Sequence, residues 1–197
     1  MTVEWEQVIS LKKDDEDEMT YTHFQHRHNF AVWCAARAVQ RGFTRSLVLK
    51  EALEKCGVME FIRDNKESAI SQQEFDERHD QCCSSILATW ERNRIEGASY
   101  GRAAKLLAVY LKSMIVVQVS PNRLSEVAHP PIDQIILQNI SKDKDIRHPN
   151  KGQWKEINWT QLDKTAYKRL VHDFRQVFYG KPFWIIEKYW TIPDTDG

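Results

Sequence analysis

Residues 101–117 are apolar on most sides of a helix, and this one stretch constrains the fold more than any other part of the chain. A helix that is hydrophobic nearly all round must run through a protein interior or a membrane. The membrane reading fails because Lys112 and Ser113 interrupt the apolar run 106–119, and a span needs roughly 18 or more such residues in a row. The stretch therefore predicts a central helix that amphipathic helices must surround.

The remainder of the chain supplies those helices. Phe24, His28, Ala31, Ala35 and Ala38 recur at spacings of three and four, which predicts a helix over about 21–41 that Gly42 stops. A second is expected over about 45–56, with Thr44 as N-cap and Gly57 just past its end. Ser71-Gln72-Gln73-Glu74 has capping-box form and opens a third, whose inward stripe is Phe75, His79, Cys82 or Cys83, Ile86 and Trp90. Pro130 and Pro131 open a fifth over 132–140, since proline is tolerated in a first turn. Thr160 caps a sixth from about 161 to Gly180, with Asp163 in its first turn. Pro182 begins an aromatic last helix that ends near Trp190. The charged segment 141–152 is the strongest linker candidate, and only 115–119 carries any strand-like pattern. Glycine is scarce, at seven in 197 residues, and no repeat is present. The expected class is all-α, a single compact helical domain over 1–197.

Charge and cysteine usage narrow the setting. Twenty-eight basic and 28 acidic residues cancel, which argues against a bulk polyelectrolyte binder and leaves room for a local basic face. The acidic run Asp14-Asp15-Glu16-Asp17-Glu18 reads as a solvated loop or helix end, and Lys and Arg recur from Arg92 to Arg123. Cys34, Cys56, Cys82 and Cys83 lack metal-ligand spacing and fall in helical patterns, so free thiols in a reducing compartment are expected. The polar, acidic beginning carries no secretory signal, and the expected location is cytoplasmic.

The stretch that bears chemistry is Gly97-Ala98-Ser99-Tyr100-Gly101-Arg102-Ala103-Ala104-Lys105, followed after the central helix by His129-Pro130-Pro131-Ile132-Asp133. Lys105 stands among Ala103, Ala104, Leu106 and Leu107 near a helix start. Desolvation and the helix dipole both disfavour its charge there, which pushes it toward the neutral, nucleophilic amine. A helix start favours Asp133 as the carboxylate. That group can stabilise developing cationic charge and accept a proton from an attacking amine. Singly, a lysine after glycine usually faces solvent and an aspartate after proline usually just suits a first turn. Together, and in this order, they point to chemistry.

The arrangement resembles the helix-hairpin-helix DNA glycosylase superfamily, in which a glycine-bearing turn leads into the helix of a catalytic lysine and a later aspartate opens another helix. Gly101-Arg102-Ala103-Ala104-Lys105 matches the Gly-x-x-x-Lys spacing, and Pro131-Ile132-Asp133 matches the Pro-Val-Asp step. Lys105 and Asp133 are 28 residues apart, close to the archaeal 8-oxoguanine glycosylases. The hairpin departs from the family, reading Ile95-Glu96-Gly97-Ala98-Ser99-Tyr100-Gly101 without its proline, and no iron–sulfur cysteine cluster is present. The resemblance implies a glycosylase-like core at about 71–140 with aromatic helices at 160–191.

In function it implies a DNA N-glycosylase with AP lyase activity that excises an oxidised or modified purine, with Lys105 as nucleophile and Asp133 assisting. A flipped base would be held by Trp190 and Glu187, with Gln25 and Phe24 as weaker candidates. Gly101, Arg102, His129, Lys112, Arg123 and Lys142 would follow the DNA backbone. The implied partner is DNA containing a damaged or modified base, in repair or in defence against foreign DNA. No cofactor is expected, and no metal either. His23 and His26 are three apart after Glu18, but the Glu-x-x-His companion is missing and Arg27 would repel a cation. His28 reads as a satisfied helix-face histidine. The competing reading is a non-enzymatic helical protein- or DNA-interaction domain, with the Trp-rich tail docking a partner. A catalytically silent DNA sensor is the third.

Overall fold

The central apolar stretch forms α5 (Tyr100–Leu111), and nine of its 12 residues are buried. In a computed structural model of the chain, residues 21–191 are described apart from 41, 66–68 and 119–121. The acidic run at 14–18 lies outside the described residues. Before α5 come α1 (His23–Gln40), α2 (Ser46–Lys55), α3 (Val58–Asp64) and α4 (Gln72–Arg92). After it come α6 (Arg123–Val127), α7 (Gln134–Lys142), α8 (Lys151–Trp154) and α9 (Lys164–Val177). Two 3-10 segments, Trp159–Gln161 and Phe183–Tyr189, and a π-helical turn, Lys112–Val116, complete the set, and no strand occurs among the described residues. The fold is all-α.

α1 and α4 pack along α5, and the Trp159–Gln161 turn crosses its N-terminal end. α1 offers Ala31, Ala35 and Ala36 to this packing, all buried, so the two helices meet through small side chains. α4 is opened by the expected capping box. The Glu74 amide donates to Ser71 Oγ at 3.2 Å, and the Ser71 amide donates to Glu74 Oε2 at 2.8 Å. Phe75, His79, Ile86, Trp90 and both cysteines Cys82 and Cys83 are buried along it. All four cysteines are free thiols, three of them buried. No described helix is long and apolar enough to cross a membrane. The buried residues form one continuous cluster from Ala31 to Tyr189.

Several boundaries differ from expectation, each for a local reason. α2 is preceded by Arg45, which makes no side-chain cap, rather than by Thr44. Gly57 sits past its end at φ +76° and turns the chain directly into α3. α5 does not continue as α-helix to 117; it widens into a π-turn, Lys112–Val116, where the strand-like pattern had stood. Asp133 is the N-cap of α7, so Pro130 and Pro131 approach the helix from outside it. Asp163, not Thr160, caps α9 through a 2.8 Å bond from the Ala166 amide. The aromatic tail is 3-10 rather than α. The segment 141–152 is no free linker, because Ile146 is buried there and α8 ends on a Trp154 only 1% exposed. Three helices escaped periodicity, α3, α6 and α8, being only 7, 5 and 4 residues long.

Gly101 is the tightest point of the fold. Its amide donates to the Leu162 carbonyl at 2.9 Å, and a Cβ there would lie 2.0 Å from the Trp159 carbonyl oxygen and 3.0 Å from Leu162 Cβ. Both the obstacle and its neighbour belong to a turn held in place by its own hydrogen bonds, so nothing nearby gives way cheaply. Gly101→Ala is expected to destabilise the fold by about 3 kcal/mol, the upper end for overpacking. That corresponds to a fall in Tm of roughly 6–12 °C for a chain of this length. An unchanged Tm in calorimetry would contradict the close approach.

Candidate active site

Lys105 leaves α5 just beyond its first turn and reaches the N-terminal end of α7. Its Nζ donates to Asp133 Oδ2 at 3.2 Å, and the two side chains are only 10% and 12% exposed. The ammonium lies 4.2 Å from the centroid of the Trp159 ring, a cation–π contact. Burial pushes the Lys105 amine below the usual lysine pKa, while the Asp133 carboxylate opposes that shift.

The carboxylate is held from every side. Oδ1 accepts from the Ile135 and Ile136 amides at 3.0 and 3.1 Å, which caps α7. Oδ2 accepts from Lys105 and from Trp190 Nε1, the latter at 3.2 Å. Four donors thus fix an anion whose own position is set by a helix end. Its freedom to reorient is small, which is the preorganisation that electrostatic catalysis requires.

These groups stand at the wall of a cleft of about 430 Å³ bounded by Phe30, Val109, Pro131 and Trp190, within the range of small-molecule sites. Lys112 and Glu187 meet there as an ion pair, and the Lys112 ammonium lies 5.9 Å from the Trp190 ring centroid. Burial raises Glu187 above the usual carboxylate range; Lys112 opposes the shift and Asp133 adds to it. The π-turn begins at Lys112, and Lys112 and Ser113 both line the cleft. Widened turns of this kind frequently mark functional sites.

Lys105, Asp133, Trp190, Glu187 and Lys112 are therefore brought together. The other expected positions are not. Gln25 is spent on capping α1: its side chain accepts from the Thr22 amide at 2.7 Å and its amide donates to Thr22 Oγ1 at 3.1 Å. Phe24 packs half-buried on the core. Gly101 cannot offer its amide to a phosphate, since Leu162 takes it. The Arg102 amide is likewise taken by Ser99 Oγ at 3.2 Å, and its guanidinium sits 4.4 Å from the Phe43 ring centroid. Arg123 pairs with Glu126 at 2.9 Å in a separate depression. Lys142 ends α7, exposed.

His129 is corrected most sharply, because it is buried rather than facing DNA. Its Nδ1 meets Tyr167 Oη at 3.1 Å, and its Nε2 lies 3.0 Å from Asp76 Oδ1 and 2.9 Å from Arg175. Arg175 also grips Asp76 through two bonds of 2.6 Å. Burial opposes the Asp76 charge, but the bonds from His129 and Arg175 outweigh it and hold that carboxyl below the usual range. This network was invisible to sequence reading, since its members come from α4, the approach to α7, and α9. Phe30 at the cleft and Trp159 against Lys105 were also missed. His28 is satisfied as read, 2.8 Å from Tyr110 Oη. No group of metal-binding side chains occurs among the described residues.

No family model, characterised protein or solved structure matches this chain. The arrangement is thus to be judged on its own chemistry.

Asp133 separates cap from charge in one experiment. Asp133→Ala removes the cap and leaves the Lys105 cation buried without its counter-charge, an expected loss of about 3 kcal/mol. Asp133→Asn keeps an equally good cap and an acceptor for Lys105, and is expected to lose about half as much. Equal losses in urea unfolding would mean that the cap contributes nothing.

Proposed function

We propose that the chain is a DNA N-glycosylase with AP lyase activity, excising an oxidised or otherwise modified purine in the cleft. The observation that carries this reading is the Lys105–Asp133 pair, a nearly buried amine hydrogen-bonded to a rigid carboxylate at the edge of an aromatic-walled cavity. A surface ion pair would need neither the burial nor the cleft.

The chemistry follows from proton position. The extruded nucleotide enters beside Trp190, with its base against the indole face and its edge toward Glu187. Asp133 takes a proton from Lys105 across their existing hydrogen bond, leaving a neutral amine. Nζ attacks C1′ of the sugar as the N-glycosidic bond breaks, the electron pair departs with the base, and Asp133 passes to the base the proton it took from Lys105. Having given up that proton, Asp133 is again a carboxylate and faces the positive charge that develops on the sugar. Opening of the sugar ring gives a Schiff base between Nζ and C1′. Loss of a C2′ proton then breaks the C3′–O bond and releases the 3′ phosphate strand by β-elimination.

Borohydride trapping tests the reading with oligonucleotides containing 8-oxoguanine, uracil, hypoxanthine or an abasic site. A covalent adduct is expected with wild type and none with Lys105→Gln. Failure to trap any of them, the abasic site included, would remove the lyase mechanism and favour the non-enzymatic binding domain.

Asp133→Asn is expected to divide the two steps. Base excision falls by roughly 100-fold or more, as for loss of an electrostatic or acid–base group. Trapping on a preformed abasic site survives, because an amine without its carboxylate partner is neutral at lower pH.

The trapping rate should climb with pH as the amine loses its proton. It should level off below the roughly 10.4 of free lysine, since burial lowers the Lys105 pKa. In Asp133→Asn the plateau moves to still lower pH, and a plateau that moves upward would reverse the assigned roles.

A further inference from the structure

α1 turns two large aromatic side chains to water beside the cleft. Phe30 and Trp33 are 55% and 60% exposed, with ring centroids 6.1 Å apart and planes inclined by 29°, close to a stacked pair. His26, Phe30, Trp33 and Arg37 follow one another at spacings of four, three and four, so they share one exposed stripe of the helix. Phe30, Cys34 and Ala38 line the cleft on the adjoining face. Phe30 therefore belongs to both surfaces. The inward face of α1 is already filled by Ala31, Val32, Ala35, Ala36 and Val39, and neither aromatic serves the core.

The formal charge on this helix comes from Arg27 and Arg37, and it carries no Asp or Glu. Arg37 is exposed and makes no ion pair among the described residues. Aromatic faces beside an unpaired guanidinium, that of Arg37, suit a polyanion that carries flat rings.

We propose that Phe30 and Trp33, with Arg37, form a stacking platform for an unpaired DNA base adjacent to the nucleotide held in the cleft. The proposal rests on the reading of the cleft as a nucleotide site. Extruding one nucleotide leaves its neighbour without a stacking partner, and a sequence-tolerant aromatic surface at the cleft rim replaces that partner. Arg37 meets the phosphate of the same nucleotide, which positions the strand without reading its sequence. Single-stranded DNA, whose bases are already unpaired, should bind this platform more tightly than an intact duplex.

The test measures equilibrium binding of an undamaged single-stranded oligonucleotide by fluorescence anisotropy, with borohydride trapping on an abasic site run in parallel. Phe30→Ala and Trp33→Ala are each expected to raise Kd roughly 10-fold, within the range for loss of one base–aromatic stack. Trp33→Phe keeps most of the affinity, and binding of DNA quenches tryptophan emission less in Trp33→Phe than in wild type. Circular dichroism should show the folds unchanged, since both side chains lie outside the core. Equal Kd values for all variants, with trapping intact, would overturn the platform and leave the cleft reading standing. Weakened binding in the alanine variants without any trapping would support the platform and sink the cleft chemistry. Absence of oligonucleotide binding by wild type would overturn the platform, and sedimentation as a dimer that Trp33→Ala dissociates would assign the stripe to a second copy of the chain.

Discussion

The Asp133 carboxylate is the point at which three distant segments of the chain are tied. One oxygen closes the N-terminal end of α7, and the other receives Lys105 from α5 and the indole of Trp190 from the tail. A charge at this depth is costly unless hydrogen bonds and a counter-ion compensate it. Here a helix end, a cation and an indole do so together. Removing any one partner therefore disturbs the other two, and the junction brings Trp190 of the tail to the cleft wall beside Lys105. A site built in this way inherits its rigidity from the fold.

A second polar network secures the approach to that junction. His129 lies four residues before Asp133 and is fixed between Asp76 of α4, Tyr167 and Arg175 of α9. The aromatic rings of His79 and Tyr167 stack nearly parallel beneath it. Pro130 and Pro131 follow without room to wander, so Asp133 arrives at α7 with its side chain already aimed. His129 thus acts on the cleft through the backbone that it anchors, far from any phosphate it was expected to touch.

What was legible in the sequence divides along physical lines. Long amphipathic helices and the apolar centre were readable because their periodicity spans several turns, and the capping box at Ser71 was readable because both partners lie within four residues. Short α3, α6 and α8 hold too few turns to show a period. The pairing of Lys105 with Asp133 across 28 residues came from a resemblance in order and spacing, and the structure brings them within hydrogen-bonding distance. The hairpin amides were misread for the opposite reason. Gly101 looks like a residue kept free for a ligand, yet its missing side chain makes room for the Trp159 carbonyl. From sequence alone, a glycine that admits a phosphate and one that admits another part of the chain look the same. Gln25 likewise looks available until Thr22, three residues earlier, claims it.

The setting of Lys105 contains a tension that bears on how such a site would be used. Burial disfavours its charge, while Asp133 and the Trp159 ring face favour it. In the open cleft the two influences oppose each other, and the ion pair is the resting arrangement. A ligand that fills the cleft displaces water from both groups at once. The ammonium then loses solvation, which adds to the burial that already disfavours its charge. In the reaction proposed above, occupancy of the cleft therefore favours the neutral amine. Trp190 joins the cleft wall to this pair, because it lines the cleft and its indole donates to the Asp133 carboxylate that holds Lys105.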